Sequence, residues 1–341
     1  MDDSRYMQRA LDLAKRGKGS VSPNPMVGCV IVHDEKIIGE GYHQKYGEAH
    51  AEVNAITSVK DQSLLTESTA YVTLEPCAHH GKTPPCADLL IEKKIKRVVI
   101  ACRDPFDQVD GKGIEKLKSA GIEVTLGIIE QEALELNKHF FTSVQKERPY
   151  VILKWAQTAD GFVARENFDS KWISEPYSRQ LVHKWRTEED AILVGKNTAI
   201  HDNPSLTARE WTGRNPVRVL LDSNLEVHKD FKLFDSSAST LILNALKEEK
   251  KENIEWIKTD LNNPWSVLRK LHERKIQSVI IEGGAQTMNS FINENCWDEA
   301  RVFTSPTTFG KGIPAPEIEG KPEKEETIFA DRLTIYKNNH G

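Results

Sequence analysis

The sequence predicts an α/β protein made of two domains. Helical and strand-like segments alternate along the first 146 residues, as they do when helices cover a sheet. A helical stretch over residues 130–146 then ends at Glu147-Arg148-Pro149, where a proline breaks the pattern. At 341 residues the chain is also longer than one ordinary core supports. We therefore predict domains at residues 1–146 and 147–341.

The first domain is predicted to begin with a helix over residues 6–15, because four apolar residues recur there at helical spacing. The β-branched run over residues 27–33 predicts a buried strand, and residues 36–42 predict its hairpin partner. Further helices are expected at residues 49–59, 87–93, 114–120 and 130–146, and further strands at residues 70–74, 97–101 and 123–126.

The second domain is predicted to contain strands at residues 150–155, 191–194, 217–221, 240–244 and 278–281. The last of these runs into Gly283 and Gly284 and then into a helix over residues 285–293. Glycines at such a turn let the backbone approach a phosphate, and a tight turn without a ligand has the same pattern. The turn lacks the G-x-G-x-x-G fingerprint, so it does not indicate a Rossmann dinucleotide domain. We interpret the charged run over residues 247–253 as a solvated turn or helix end.

The composition argues against several classes of protein. The sequence has no run of about 18 apolar residues, and its acidic N-terminus lacks the apolar core of a secretion signal. The net charge of -5 argues against a broad surface for nucleic acid. Five scattered cysteines, an odd number, do not form a disulfide framework. We therefore expect a cytoplasmic protein with a small-molecule substrate and with no membrane or nucleic-acid partner.

One histidine and two cysteines have the spacing of a zinc site. His50 opens a predicted helix, Cys77 follows a predicted strand, and Cys86 lies where the next helix begins, so that the helix dipole favours a thiolate. Three such ligands leave the fourth position of a tetrahedral zinc ion for water. Glu52, two residues after His50, is the predicted catalytic residue. It would take a proton from that water and pass it to a leaving amino group.

A purely structural zinc site is the alternative interpretation. Such a site is closed by a fourth protein ligand, which His79 or His80 would supply. Cys29 lies within a predicted strand, and Cys102 and Cys296 have no partner pattern, so we interpret these three as structural residues. The H-x-E pair followed by Pro-Cys and a second cysteine is far more specific than any one of these residues alone.

The spacing of the two cysteines departs from the general deaminase signature. That signature has two residues between the cysteines, whereas eight separate Cys77 from Cys86. With this insert, residues 73–86 resemble the family of bifunctional riboflavin-biosynthesis deaminase/reductases, and so do residues 23–28 and 50–55. The resemblance implies an N-terminal cytidine-deaminase-like three-layer α/β/α domain followed by a dihydrofolate-reductase-like α/β domain.

For the first domain, the resemblance implies deamination of 2,5-diamino-6-(5-phosphoribosylamino)pyrimidin-4(3H)-one. Oxygen would replace the amino group at C2, and ammonia would leave. Asn24, His43, His79 and Lys82 fall at positions that contact this substrate in the family. Lys82 beside two histidines gives a short cationic loop, which suits a phosphorylated ligand. A solvent-facing loop is the alternative for His79 and His80.

Residues 154–161, 169–174, 191–195 and 198–209 resemble the reductase domain of the same family. The resemblance implies that NADPH reduces the ribosyl group at C1′, which gives 5-amino-6-(5-phosphoribitylamino)uracil. The family's NADPH contacts fall on Ala156, Trp172, Thr198, Asp202, Ser223, Gly284, Ala285, Gln286, Thr287, Met288, Asn289 and Ser290. Its substrate contacts fall on Lys154, Ser170, Arg186, Leu206, Arg209 and Glu282.

Two arginines of the second domain suit the 5′-phosphate of this substrate. Arg186 and Arg209 each carry a guanidinium, which binds phosphate oxygens in a bidentate fork. A surface ion pair with Glu188 or Glu189 is the alternative for Arg186.

Four other residues of the second domain carry specific expectations. Lys154 and Glu282 are the candidates for polarising or protonating the sugar during hydride transfer. Arg165 and Phe168 stand where relatives usually have small residues and a glycine, and they are expected to reshape the loop over the nicotinamide pocket.

Three hypotheses about function follow. The first is the two-step enzyme of riboflavin biosynthesis, with one zinc ion per chain and NADPH, acting as a homo-oligomer (a dimer or a tetramer). The second is a tRNA adenosine or free cytidine deaminase fused to an unrelated reductase, against which the eight-residue insert and the acidic net charge count. The third is a non-enzymatic scaffold stabilised by zinc, which leaves an acidic residue beside an open metal site unexplained.

Overall fold

The computed structural model describes residues 2–78, 84–106, 109–170 and 173–338. The chain forms two compact units, Met1–Glu147 and Arg148–Gly341. No helix in the described ranges is long and apolar enough to cross a membrane.

The first unit is built on a five-stranded sheet with the strand order β2-β1-β3-β4-β5. Strand β1 pairs antiparallel with β2 and β3, and β3, β4 and β5 run parallel. The strands are β1 (Gly28–His33), β2 (Lys36–Tyr42), β3 (Thr69–Leu74), β4 (Arg97–Cys102) and β5 (Glu123–Leu126). The helices are α1 (Asp3–Ala14), α2 (Ala51–Ser58), α3 (Cys86–Glu92), α4 (Lys112–Ser119), α5 (Glu130–Leu136) and α6 (Lys138–Lys146).

Helices cover both faces of this sheet. Cys29 and Ile31 of β1 pack on one face against α2, α3 and α4, while Val30 and Val32 pack on the other against α1, α5 and α6. Successive residues of a strand point to opposite faces, so a strand that is apolar throughout is buried on both. The expected three-layer α/β/α arrangement is therefore confirmed.

The single helix expected over residues 130–146 is wrong, because the chain breaks at Asn137 into α5 and α6. The Asn137 side chain is buried and forms two hydrogen bonds with the backbone of Met26. Its Oδ1 accepts from the Met26 N–H at 2.8 Å, and its Nδ2 donates to the Met26 carbonyl at 2.9 Å. An asparagine that bonds to a distant backbone segment in this way replaces helix continuity with a tertiary contact.

The second unit is built on a ten-stranded sheet with the order β11-β12-β10-β9-β8-β13-β6-β14-β17-β16, and β7 pairs with β15 in a separate small sheet. The strands are β6 (Tyr150–Gln157), β7 (Phe162–Ala164), β8 (Ala191–Gly195), β9 (Val217–Leu221), β10 (Thr240–Asn244), β11 (Glu249–Lys251), β12 (Ile254–Lys258), β13 (Ser278–Gly283), β14 (Glu299–Thr304), β15 (Ile313–Pro314), β16 (Lys324–Ile328) and β17 (Asp331–Lys337). The helices are α7 (Pro176–Glu188), α8 (Lys196–Asp202), α9 (Pro264–His272) and α10 (Ala285–Asn293).

The middle of this sheet, from β12 through β14, is parallel. Helices α9 and α10 cover one face, and α7 and α8 cover the other. In a parallel sheet all the strands end at the same edge, so the residues that follow β8, β9 and β13 are neighbours there. This edge holds the predicted glycine turn at Gly284 and the predicted site residue Ser223.

The charged run over residues 247–253, expected to be a turn or helix end, contains a short strand followed by a turn at residues 252–253. Residues Glu249–Lys251 form β11, which pairs antiparallel with β12 and is fully exposed at the edge of the sheet. The run has no apolar residue to signal a strand, and its backbone is held by the neighbouring β12. Charged side chains on an edge strand prevent further strands from adding to the sheet.

Candidate metal centre and candidate reductase site

Three elements of the first unit bring His50, Cys77 and Cys86 together. His50 immediately precedes α2, Cys77 follows β3, and Cys86 is the first residue of α3. Their donor atoms all lie within 4.8 Å of one another. His50 Nδ1 lies 3.7 Å from Cys77 Sγ and 3.3 Å from Cys86 Sγ. A tetrahedral zinc ion with ordinary bond lengths separates nitrogen and sulfur ligands by roughly 3.6 Å, so these three residues fit zinc.

The electrostatics around Cys77 favour a thiolate, which is the form that binds metal. The Cys86 thiol and the His50 ring stabilise its negative charge against the opposing effect of burial, and the pKa of Cys77 falls to about 4. The backbone N–H of Cys86 also donates to Cys77 Sγ, at 3.2 Å. Pairing with Cys77 and burial raise the pKa of the Cys86 thiol.

Glu52 lies in the first turn of α2, two residues beyond His50, and its side chain is buried. Burial, followed by the nearby charge of Cys77, raises the pKa of Glu52 to about 7. A carboxyl group with a pKa near neutrality both accepts and donates protons at physiological pH. The position and the pKa of Glu52 suit a proton carrier beside the triad.

Asn24 and His43 form a hydrogen-bonded pair beside His50. The His43 ring packs edge-on to the His50 ring, with 5.5 Å between the centroids. His43 Nδ1 lies 3.1 Å from the carbonyl of Ala49, and its Nε2 lies 3.1 Å from Asn24 Nδ2. A carbonyl only accepts, so Nδ1 carries the hydrogen and Nε2 accepts from the amide of Asn24. Burial also lowers the pKa of His43, and the ring is therefore neutral.

In the second unit, the ends of β13 and α7 meet in a buried ion pair. Arg186 donates from Nε to Glu282 Oε1 at 3.2 Å and from Nη2 to Oε2 at 2.8 Å. Its Nη1 donates to the carbonyl of Thr207 at 3.1 Å. Two glutamates were the alternative partners expected for Arg186. Of these, Glu188 pairs with Lys184, and Glu189 pairs with Arg301.

This ion pair determines which side chain near it can donate a proton. Burial alone would raise the pKa of Glu282, but the charges of Arg186 and Lys154 lower it to about 2. Glu282 is therefore a carboxylate at neutral pH and has no proton to give. Burial lowers the pKa of Lys154 on β6, which makes its ammonium group a better acid. Of the two candidates for protonating the sugar, the electrostatics favour Lys154.

Several of the residues expected to contact NADPH, among them Thr198, Gly284 and Thr287, lie where α8 and α10 begin. Gly284 has a positive φ of 67° and immediately precedes α10. A Cβ atom at Gly283 would lie 2.9 Å from the side chain of Thr198, and one at Gly195 would lie 2.5 Å from Thr287 Oγ1. The first turns of α8 and α10 are therefore in close contact, and the glycines make that approach sterically possible.

Comparison with known proteins places both units in recognised families. The family model of the cytidine and deoxycytidylate deaminase zinc-binding region matches residues 1–102. The family model of the RibD C-terminal domain matches residues 149–333. The riboflavin biosynthesis protein RibD of Aquifex aeolicus is 45% identical over 351 residues, which cover 98% of both chains. The chain belongs to the RibD family.

Solved structures agree along the whole chain. One from Thermotoga maritima, described as a diaminohydroxyphosphoribosylaminopyrimidine deaminase/5-amino-6-(5-phosphoribosylamino)uracil reductase, is 41% identical with a TM-score of 0.91 over 98% of both chains. RibD of Acinetobacter baumannii is 35% identical with a TM-score of 0.89 over 98% of both chains. As a RibD family member, the chain is a bifunctional enzyme of riboflavin biosynthesis, with a zinc-dependent deaminase domain and an NADPH-dependent reductase domain.

Some expected RibD site residues lie outside the described ranges. These are His79 and Lys82, with the alternative zinc ligand His80, in the segment 79–83, and Trp172 in the segment 171–172.

Other expected contacts of the reductase domain are described but bury their side chains. Met288 and Leu206 both belong to hydrophobic cores, so only their backbone is available to a ligand. Leu206 also has a positive φ of 53°, a strained conformation for a non-glycine residue that is often found at binding sites.

The remaining predicted contacts of the reductase domain lie on several elements of the second unit. Ser170 Oγ donates to Asp202 Oδ1 at 3.3 Å, which joins the loop before α7 to the end of α8. Ala156 lies on β6, and Ser223 follows β9. Arg209 is exposed, and its Nη1 donates to Ser205 Oγ at 3.1 Å. The residues Ala285, Gln286, Asn289 and Ser290 lie on α10.

Arg165 and Phe168 meet two other aromatic rings. The Phe168 ring stacks on His201 of α8, with 4.3 Å between centroids and a 3° angle between the planes. The Arg165 guanidinium lies 4.1 Å from the centroid of Phe309. The stacking of Phe168 on His201 holds the loop before α7 against α8, next to Asp202.

Sequence reasoning missed one residue that supports the metal centre. Glu75 is buried, and its carboxylate accepts four backbone hydrogen bonds. Oε1 accepts from Gly113 and Ile114 at 3.0 and 3.2 Å, and Oε2 accepts from Gly111 and Asp104 at 3.0 and 3.4 Å. The only signal in the sequence was its place in the Glu-Pro-Cys motif, two residues before Cys77. Glu75 ties the end of β3, and with it Cys77, to the start of α4.

Proposed function

We propose that the first domain deaminates 2,5-diamino-6-(5-phosphoribosylamino)pyrimidin-4(3H)-one at C2. We further propose that the second domain reduces the ribosyl group of the product with NADPH to give 5-amino-6-(5-phosphoribitylamino)uracil. The observation that supports this most is the cluster of His50, Cys77 and Cys86, with buried Glu52 beside it, in a chain that also carries a reductase domain. The Thermotoga maritima relative, 41% identical, is described by the same two activities.

In the deaminase reaction, His50, Cys77 and Cys86 hold the zinc ion. Zinc supplies Lewis acidity there, which makes water a better nucleophile near neutral pH. Glu52 accepts a proton from the attacking water and delivers it to the departing amino group, which leaves as ammonia. The raised pKa of Glu52, about 7, supports this shuttle.

We assign Asn24 and His43, with His79 and Lys82, to substrate binding in the deaminase domain. The hydrogen bond from Asn24 keeps the His43 ring neutral and oriented beside His50. A neutral His43 ring does not repel the positively charged metal ion next to it. Lys82 would pair with the negative charge of the substrate's phosphate.

In the reductase reaction, NADPH supplies the hydride and the chain supplies orientation and a proton. We assign the start of α10 from Gly284 to Ser290, with Ala156, Trp172, Thr198, Asp202 and Ser223, to NADPH. Lys154 is assigned to protonate the sugar, and Glu282 to accept a hydrogen bond from a hydroxyl group of the sugar. Arg186 holds Glu282 in its ionised form, which keeps that acceptor available. Ser170, Arg186, Leu206 and Arg209 complete the substrate contacts.

We propose that the two domains comprise residues 1–146 and 147–341 and that the enzyme is a cytoplasmic homo-oligomer, a dimer or a tetramer. All five cysteines are free thiols, which supports a reducing compartment. Sedimentation velocity of the zinc-loaded enzyme tests the oligomeric state, and a monomer across the micromolar range would contradict it.

The decisive experiment supplies the diaminopyrimidine substrate with NADPH and follows ammonia release and NADPH oxidation separately. The wild-type enzyme is expected to produce both. Glu52→Gln is expected to reduce ammonia release by about 100-fold or more, the usual contribution of general acid–base catalysis. It should still oxidise NADPH when the deaminated intermediate is supplied directly. Release of ammonia from cytidine or tRNA, but not from the diaminopyrimidine, would contradict the proposal.

A further inference from the structure

A loop of the second unit is fixed to both sides of the reductase site. On one side, the Asp160 carboxylate accepts hydrogen bonds from the N–H groups of Phe309 and Gly310 at 3.0 and 2.7 Å, in the segment that follows β14. Strand β7 then pairs with β15 in that same segment. On the other side, the Phe168 ring stacks on His201 of α8, the helix that follows β8. The loop therefore joins the β14 side of the unit to the β8 side.

The strands between these two sides carry residues of the site. In the sheet, β13 and β6 lie between β8 and β14, and all four strands are parallel. Their ends are therefore neighbours at one edge, and three strand spacings, or about 14 Å, separate β8 from β14. Ala156, assigned to NADPH, lies near the end of β6, and the turn at Gly284 follows β13. A loop that is joined to both sides spans the ends of these two strands.

Residues 165–170 are the part of this loop that meets α8, and we call them the strap. The N–H of Phe168 donates to the carbonyl three residues before it at 2.9 Å. This hydrogen bond lies within the strap, so it keeps the shape of the strap without tying it to α8. Side chains make that connection, because Phe168 stacks on His201 with 4.3 Å between the centroids and Ser170 donates to Asp202.

Both contacts fall beside residues that we assign to NADPH. Thr198 and Asp202 are four residues apart on α8, and His201 is three residues from Thr198. Residues three and four apart on a helix are neighbours on its surface. The strap therefore closes against the part of α8 that carries the two assigned cofactor contacts.

The stack between Phe168 and His201 is suited to opening and closing. Phe168 is 45% exposed and His201 is also exposed, so the rings can separate without opening a hydrophobic core. Phe168 has a positive φ of 68°, a conformation that is strained for a residue with a side chain. The stacking contact holds this conformation in place. An aromatic stack and a single hydrogen bond are weak enough to break within the turnover time of an enzyme.

We propose that the strap retains NADPH in the reductase site and that the stacking of Phe168 on His201 is its latch. This inference rests on the proposed assignment of Thr198 and Asp202 to NADPH. The closed strap slows the escape of the cofactor, and the release of NADP⁺ after hydride transfer requires the two rings to separate. Phe168 and His201 are positioning residues, since neither is assigned to contact the reacting atoms.

The test measures the dissociation of NADPH from the full zinc-loaded enzyme. The preformed complex is mixed with excess NADP⁺ in a stopped-flow fluorimeter, and the decay of the fluorescence of bound NADPH gives the dissociation rate constant. Phe168→Gly is expected to raise this rate constant by about three- to ten-fold, the effect of losing one aromatic pair. Glycine adopts a φ of 68° without strain, so this variant should fold.

Two further substitutions assign the effect to the stack itself. Phe168→Tyr keeps a ring against His201 and should release NADPH at the wild-type rate. His201→Ala should raise the dissociation rate constant by the same factor as Phe168→Gly, and the double variant should show no further increase. If the two factors multiply in the double variant, the residues act independently and the inference is overturned.

The matched control is another stacked pair of the same unit. Phe329 stacks on Tyr177, with 4.0 Å between the centroids and 8° between the planes. Phe329 is also exposed and also has a positive φ, of 55°, and neither residue is assigned to a site. Phe329→Gly should therefore release NADPH at the wild-type rate. An equal increase in Phe329→Gly would reflect a general loosening of the unit and would overturn the inference.

The experiment also separates this inference from the proposed reductase reaction. If the wild-type enzyme binds no NADPH, the assignment of the cofactor to this site fails, and the inference fails with it. If the wild-type enzyme binds NADPH and oxidises it with the deaminated intermediate, but Phe168→Gly releases NADPH at the wild-type rate, only the proposed strap is wrong.

Discussion

At the scale of single residues, the protonation of a few buried side chains determines what each site can do. Glu52 and Glu282 are both buried carboxyl groups, yet their pKa values move in opposite directions. Glu52 is buried and lies near a thiolate, and both effects favour its neutral form. Glu282 lies near the positive charges of Arg186 and Lys154, which favour its ionised form. The same residue type therefore serves as a proton carrier in one domain and as a fixed acceptor in the other.

The pKa of Glu282 predicts a pH-dependent contribution to stability. Its folded-state value of about 2 lies below the ordinary 4.5, so the contribution is full above pH 4.5 and is lost as the pH falls towards 2. Glu282→Gln is expected to destabilise the second unit by on the order of 3 kcal/mol at pH 6. The difference from wild type should shrink below pH 4.5, where the wild-type residue becomes protonated as well.

Tryptophan fluorescence during urea unfolding measures this effect selectively. All seven tryptophans lie between Trp155 and Trp297, in the second unit. Glu317→Gln, at an exposed position, should show no such pH-dependent difference. A difference between Glu282→Gln and wild type that stays constant from pH 6 to pH 3 would contradict the assignment.

Glu75 provides a second test at the residue scale. A glutamine in its place keeps one oxygen acceptor, but its amide nitrogen cannot accept, so two of the four backbone N–H groups lose their partner. Glu75→Gln is therefore expected to destabilise the first unit by about 2 kcal/mol or more. Because the end of β3 then moves, zinc affinity should also fall. Differential scanning calorimetry and a competitive zinc titration measure the two effects.

The matched control for this change is Glu115→Gln, an exposed glutamate in the first turn of α4. It should change neither the unfolding temperature nor the zinc affinity. Wild-type zinc affinity and stability in Glu75→Gln would show that Cys77 is positioned without the help of Glu75.

At the scale of secondary-structure elements, several boundaries are set by contacts between distant parts of the chain. Apolar periodicity indicated helix across residues 130–146, and both halves are indeed helical, but the hydrogen bonds of Asn137 to Met26 interrupt it. The long helix α7 was not predicted, although Pro176 at its first position was a signal for a helix start. Strand β11 was missed because pairing with β12, rather than its own residues, makes it a strand.

The break at Asn137 has a measurable consequence. Asn137→Ala leaves the N–H and carbonyl groups of Met26 without their partner, so the first unit is expected to lose about 1–3 kcal/mol of stability. Since Met26 lies two residues from Asn24, the KM for the deaminase substrate should rise as well. Thermal unfolding followed by calorimetry, with ammonia release as the activity readout, tests both. Gln131→Ala, at an exposed position on α5, should match wild type in each.

At the scale of the whole molecule, the two units contain the residues of two separate reactions. The zinc ligands lie at residues 50–86, and the residues assigned to NADPH lie at residues 156–290, each within one compact unit. Neither set of assigned residues includes a residue of the other unit.

This separation predicts the effect of removing the metal. Treatment with a chelator is expected to abolish ammonia release. The oxidation of NADPH, with the deaminated intermediate as substrate, is expected to continue at the wild-type rate. Added zinc should restore ammonia release. Loss of NADPH oxidation in the metal-free enzyme, with tryptophan fluorescence unchanged, would contradict the independence of the two sites.

The sequence alone determined the features that depend on neighbouring residues. The spacing from His50 to Glu52 and the placement of Cys77 and Cys86 at element boundaries predicted the zinc cluster, because ligand chemistry and helix starts are local properties. The buried strands of the first sheet followed from runs of β-branched residues for the same reason.

Only the tertiary structure decided which distant side chains meet. Glu75 bonds to residues about 30 to 40 positions away, Arg186 to Glu282 across 96, and Asn137 to Met26 across 111. No local pattern encodes such partners, because the order of strands in a sheet, and not the spacing along the chain, brings them together. The same reason explains why the pairing of Arg186 with Glu282 was not predicted.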